Sequence, residues 1–199
     1  MKISHFPHPV ARIYIMNEEI RVSLKTSFSE YELKKIKYFY LCLLYEGSKF
    51  LLMLLFFSCV HLQREYLVAI VVLLSIRGFS GGIHLQTYTG CLIFSFAFML
   101  SSILCSQTIT LSNTTQNAIL ALCILLMLFV GPVTSSNRPA LTQKQNMIYR
   151  CITCSVLLFY LILFIAAKTF PYRNICFWVI VFQISQLVAA KILKKGEKR

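Results

Sequence analysis

At 199 residues the chain has room for one domain. It is 57% hydrophobic and only 14% charged, with a mean hydropathy of +0.69, which excludes an ordinary soluble domain and points to an integral membrane protein. The net charge of +13 does not call for nucleic acid, because the basic residues sit mostly outside the apolar runs, where orientation signals and lipid head-group contacts need them.

The N-terminal arm, residues 1–37, is mixed and basic and lacks the apolar stretch of a cleavable signal peptide. Ile13, Ile20, Leu24 and Phe28 are spaced for an amphipathic piece that rests in the head-group layer or packs across other helices. Ser29 and Glu32 form a capping-box pattern at the start of a second helical segment. Residues 38–60 are the first long apolar run, enough to span a core of roughly 30 Å. Glu46 and Lys49 interrupt it on one helical face. A local ion pair is the simpler reading; the other sends Glu46 to Arg77 or to another basic group of the site.

Residues 61–65 form a short turn, and residues 66–76 are apolar but cover only about 17 Å as a helix. That segment is expected to run on into the next stretch or to stop as a half-helix. Next comes Arg77-Gly-Phe-Ser-Gly-Gly-Ile-His-Leu-Gln-Thr-Tyr-Thr-Gly-Cys91. Its glycines at 78, 81, 82 and 90 are expected to break or bend any helix passing through, since Gly costs about 1 kcal/mol against Ala inside a helix. Broken backbone at membrane depth is tolerated where it is buried in protein or lines a wet cavity, which marks this segment as a site.

Apolar runs follow at 92–111, 118–133, 151–167 and 175–192, with a basic polar loop at 134–150 and a basic tail. Six crossings put both termini on one side. The N-terminal arm, Arg77, Arg138, Lys144, Arg150 and the tail then lie inside, and Arg64, Lys168 and Arg173 outside. This asymmetry predicts cytoplasmic termini and a site near the cytoplasmic face of a multi-pass cell-membrane protein. The expected fold is all-α, with about six membrane segments, one short or broken beside the glycine-rich segment, and a basic amphipathic N-terminal helix region. All of it forms one domain over 1–199: the arm 1–37, membrane helices over 38–193 and the tail 194–199.

The eight cysteines form no disulfide framework and serve mostly as small apolar residues. Cys151 and Cys154 form a C-x-x-C, but no histidine follows and no second pair exists, so no metal or other cofactor is expected. Cys91 with His84 is the exception. A cysteine nucleophile needs a base, and histidine is the usual one. On a straight helix their spacing of seven residues separates them by about 10.5 Å, too far for a direct hydrogen bond. A bend at Gly90, a partner chain or closure around substrate would bring them together. The alternatives from these residues are a small transporter or channel with a broken helix, or a non-catalytic membrane subunit.

The whole stretch resembles the signature of the accessory gene regulator B family, roughly R-x-x-x-G-G-x-H-x-x-T-x-x-x-C. Arg77, Gly81, Gly82, His84, Thr87 and Cys91 match it. Tyr45-Glu46 resembles that family's Gly/Tyr-acidic position. Gly131-Pro132-Val133 through Asn137-Arg138-Pro139 resembles its A-P-V…N-(K/R)-P segment, with Gly131 in place of alanine. The resemblance implies a membrane cysteine endopeptidase that processes an AgrD-like propeptide for quorum sensing. By it, Cys91 is the nucleophile and His84 the general base, and the acyl-enzyme thioester is closed into a thiolactone or lactone. Arg77, Gly81 and Gly82 are candidates for oxyanion or backbone support. Glu46, Thr87, Arg138 and Lys144 are candidates for substrate binding. A homodimer agrees with the family and with the long His–Cys spacing.

Overall fold

The computed structural model describes residues 30–82, 87–133, 142–167 and 169–196. The amphipathic piece expected before Ser29 lies outside them. Among the described residues the chain forms six helices and no strand: α1 Glu30–Cys59, α2 Gln63–Ser80, α3 Tyr88–Thr108, α4 Asn113–Val130, α5 Gln143–Ala166 and α6 Arg173–Gly196. The chain divides into two compact units, Met1–Leu51 and Leu52–Arg199.

In the first unit, Lys49 Nζ lies 2.7 Å from Glu46 Oε1, the local ion pair expected from their spacing. Lys49 is buried while Glu46 is largely exposed.

The second unit is built around α6. This helix packs against α2, α3 and α4; α2 also packs against α3 and α5, and α4 against α5. Over Arg173–Ile192, 56% of α6 is buried, against 22% of each of α3, α4 and α5. The surface is inverted relative to a soluble protein: Val71, Ile93, Phe159 and Phe129, the last 80% exposed, point outward. A hydrocarbon surrounding accepts such a surface, because lipid tails are as apolar as the side chains. Four helices, α3, α4, α5 and α6 over Arg173–Ile192, are long and apolar enough to cross a membrane. α2 is apolar at its centre but carries Arg64, Glu65 and Arg77.

Local signals set several boundaries. Thr142 and Gln145 form a reciprocal capping box that starts α5, with bonds of 3.3 and 3.1 Å. Ser112 caps α4 by accepting from Thr115 N–H at 3.2 Å. The α1–α2 turn closes with Leu62 N–H donating to Phe57 C=O at 2.7 Å and His61 in the left-handed region at φ 58°. That is a Schellman-type stop with histidine where glycine is usual. Below it, Phe57 stacks on Tyr66 at 5.0 Å.

Of the two alternatives for the eleven-residue apolar segment, it runs on into the next stretch rather than stopping as a half-helix: α2 is 18 residues long, because the polar Gln63–Glu65 and the stretch Arg77–Ser80 join it. One expectation is corrected here: not every glycine of the motif breaks a helix. Gly78 sits inside α2 and Gly90 in the first turn of α3. A cost near 1 kcal/mol is small beside the packing of a whole helix.

The end of the bundle opposite the glycine motif is locked by a buried cation. Arg173 donates to Phe164 C=O at 2.5 Å, Gln116 Oε1 at 2.7 Å and Asn117 Oδ1 at 2.9 Å, and its guanidinium lies over the Phe164 ring at 4.7 Å. Asn174 donates to the carbonyls of Ser106 and Ile109. Together they fasten the start of α6 to the ends of α3 and α5 and the start of α4.

Candidate functional site

The other end of the bundle brings the two motif segments together. α2 stops at Gly81, whose φ of 75° an L side chain rarely adopts, and Gly81 N–H donates to Arg77 C=O at 3.0 Å. α4 stops likewise at Gly131, φ 67°, whose N–H donates to Met127 C=O at 2.9 Å. The two strand-like ends then pair: Gly81 and Val133 form a parallel bridge, and Val133 N–H donates to Ser80 C=O at 2.9 Å. A Cβ on Gly81 would collide with the Val133 carbonyl oxygen.

Basic and amide side chains brace this junction. Lys191 Nζ donates to Phe129 C=O at 3.4 Å and also to Val130 C=O, placing a cation at the negative end of α4. The Arg150 guanidinium lies against Gly131. Gln183, fully buried on α6, donates from Nε2 to Gly81 C=O at 3.0 Å and to Ser80 Oγ at 3.3 Å. Gln186, one turn further along α6, is buried as well. A Cβ built on Gly82 would lie 3.3 Å from Arg77 Nε and 3.4 Å from Gln186 Nε2, so those two side chains flank Gly82.

Cys91 is on the same end of the bundle, in the first turn of α3. It is 5% exposed, and its N–H donates to Thr87 C=O at 3.0 Å. Thr87 is the N-cap: its Oγ1 accepts from Gly90 N–H at 3.2 Å, and its backbone is extended at φ −98°, ψ 144°. That conformation removes the straight-helix premise. The helix that carries Cys91 starts at Tyr88, after the extended Thr87.

Of the residues singled out in the sequence, the structure gathers Arg77, Gly81, Gly82, Thr87 and Cys91 at one end of the second unit. His84 and Arg138 lie outside the described residues. Lys144 is exposed in the first turn of α5, and Glu46 belongs to the first unit, paired with Lys49. Gln183 and Gln186 went unnoticed in the sequence, and Arg150 and Lys191 were read there only as orientation charges. The signal for the glutamines was there: two carboxamides three residues apart in an apolar run share a helical face, and polar groups in a span normally face protein or a site.

Fold and site together define a helical protein of membrane composition, with a buried cysteine at the same end of the bundle as a glycine-shaped junction of two chain segments. Residues 14–187 match the family model described as accessory gene regulator B. The chain belongs to that family. It is also 27% identical over 161 residues to a protein of Clostridium beijerinckii described as a putative AgrB-like protein, covering 80% of this chain and 79% of that one. No solved structure matches it.

Proposed function

We propose that this chain is a membrane cysteine endopeptidase that cleaves an AgrD-like propeptide and promotes its closure into a cyclic autoinducing peptide for quorum sensing. In this reading Cys91 and His84 are the catalytic pair. His84 takes the thiol proton, and the Cys91 sulfur attacks the scissile carbonyl carbon. The C–N bond breaks, and the leaving amine takes the proton from His84. A thioester remains on Cys91. A cysteine thiol or serine hydroxyl within the acyl portion then attacks it, the Cys91–acyl bond breaks, and a thiolactone or lactone leaves. An internal nucleophile outcompetes water because its effective concentration is high and the site is sheltered. The tetrahedral intermediate needs donors. Gly82 N–H and the Arg77 guanidinium are the groups assigned to it, since Gly81 N–H is already bonded to Arg77 C=O.

The observation that carries this reading is the position of Cys91. It is buried in the first turn of a helix that starts at the same end of the bundle as the Gly81–Val133 junction, in a chain of the accessory gene regulator B family. The helical bundle is taken to lie in the cell membrane in several passes, with both termini and the site toward the cytoplasm, as the charge asymmetry requires. Thr87, Arg138 and Lys144 remain candidates for contact with the propeptide, with Arg138 and Lys144 attracting an acidic tail. A homodimer agrees with the family.

The deciding experiment is cleavage of the cognate propeptide in reconstituted membranes by wild type, Cys91→Ala and His84→Ala. Loss of cleavage in both variants at equal expression, with a peptide adduct trapped on Cys91, supports the peptidase. Full cleavage by Cys91→Ala ends this reading.

A further inference from the structure

Gln186 has a carboxamide with no hydrogen-bond partner among the described residues. It is 7% exposed, on the face of α6 turned toward the end of α2, and both Nε2 and Oε1 are left open there. Its neighbour Gln183 shows what a structural role looks like at this place: its Nε2 holds the Gly81 carbonyl and the Ser80 hydroxyl. Gln183 Oε1 is also buried without a partner among the described residues. A buried polar group is normally satisfied, and one left open in a native fold calls for a function or a ligand.

The direction of the Gln186 side chain says which. Its Nε2 approaches Gly82 to 3.4 Å of where a Cβ would stand, next to Arg77 Nε at 3.3 Å. Any larger residue at 82 would press on both side chains. The open groups are the Nε2 donors and the Oε1 acceptor of a planar amide. Their complement is the main chain of an extended peptide, where the N–H and the C=O of one residue point to the same side, whereas within one trans peptide group they point apart. A charged or phosphorylated ligand would use the donor and leave Oε1 facing its own charge.

We infer that Gln186 is a substrate-binding residue that pairs with the main-chain N–H and C=O of one residue of the bound peptide next to the scissile bond, where Gly82 puts no side chain against the carboxamide. This rests on the peptidase reading and adds to it how the peptide is held independently of its side chains. An amide pair of this kind is lost by the apolar isosteres Leu and Met without any change in the nucleophile.

The test needs no knowledge of the natural propeptide. Full-length protein in lipid vesicles is labelled at Cys91 with two reagents: an N-acetylated tripeptidyl chloromethyl ketone, which carries peptide groups, and methyl methanethiosulfonate, which carries none. Site occupancy is read by mass spectrometry, and thermal midpoints are recorded in parallel. Gln186→Leu and Gln186→Met are expected to slow the peptidyl reagent ~10-fold or more, while the small reagent changes less than ~2-fold. The thermal midpoint should stay level or rise, because an unsatisfied polar group has been removed. Unchanged peptidyl labelling in both variants overturns the inference and leaves the peptidase standing. Slowing of both reagents together with a lower midpoint also overturns it, in favour of a structural role. A wild-type Cys91 that reacts no faster with the peptidyl reagent than with chloroacetone brings down the peptidase reading itself, and this inference with it.

Discussion

Gly81 and Val133 are 52 positions apart in sequence and joined backbone to backbone, with the Val133 carbonyl oxygen occupying the place of a Gly81 side chain. The glycine motif and the Gly-Pro-Val segment are therefore one structural unit. Gly81→Ala meets both a positive φ and a backbone collision, neither of which a rotamer change relieves. A loss of about 2–4 kcal/mol is expected, read as a lower thermal midpoint in detergent or vesicles, with loss of propeptide cleavage.

Gly82→Ala separates shape from space. The groups in its way are the ends of the Arg77 and Gln186 side chains, at 3.3 and 3.4 Å, which can shift by a few tenths of an ångström. Stability should change by less than about 1 kcal/mol. Propeptide cleavage should fall much more than stability. A variant as inactive and as unstable as Gly81→Ala would mean that the space at 82 has no separate importance.

Arg173 tests the opposite end. Its guanidinium serves α4, α5 and α6 through Gln116, Asn117 and Phe164, and no lysine reproduces that fork. Arg173→Lys and Arg173→Met should each lower stability by about 2–4 kcal/mol, since buried carbonyl and amide partners lose a charged donor. In protein that remains folded, the rate of Cys91 labelling should match wild type, because the clamp lies at the far end of the bundle.

His61 is strained in a position that favours glycine, φ 58°. His61→Gly should stabilise the α1–α2 turn by up to about 1 kcal/mol, the left-handed penalty less the extra freedom of glycine in the unfolded chain. His61→Ala should give no gain. The pair of thermal midpoints checks it.

Cys91→Ala and His84→Ala should each lower propeptide cleavage by about 10³-fold or more with little change in thermal midpoint. Because the two act as a unit, the double variant should be no worse than either alone.

Much of this was legible in the sequence. Hydropathy gave helices and a membrane setting because apolar length and charge placement are properties of the chain alone. The i,i+3 spacing gave the Glu46–Lys49 pair for the same reason, and a dense motif gave the family. What misled was local propensity. Four glycines suggested four breaks, yet Gly78 and Gly90 stay helical and only Gly81 stops a helix, where φ turns positive.

What only the tertiary structure decided is which distant groups meet. That Val133 closes on Gly81, that Arg173 is a buried clamp rather than a loop charge, and that Gln186 faces Gly82 all depend on how helices pack around α6. Helical periodicity states which residues share a face. It does not state what that face meets, because contacts between helices are set by shape and by partners far along the chain.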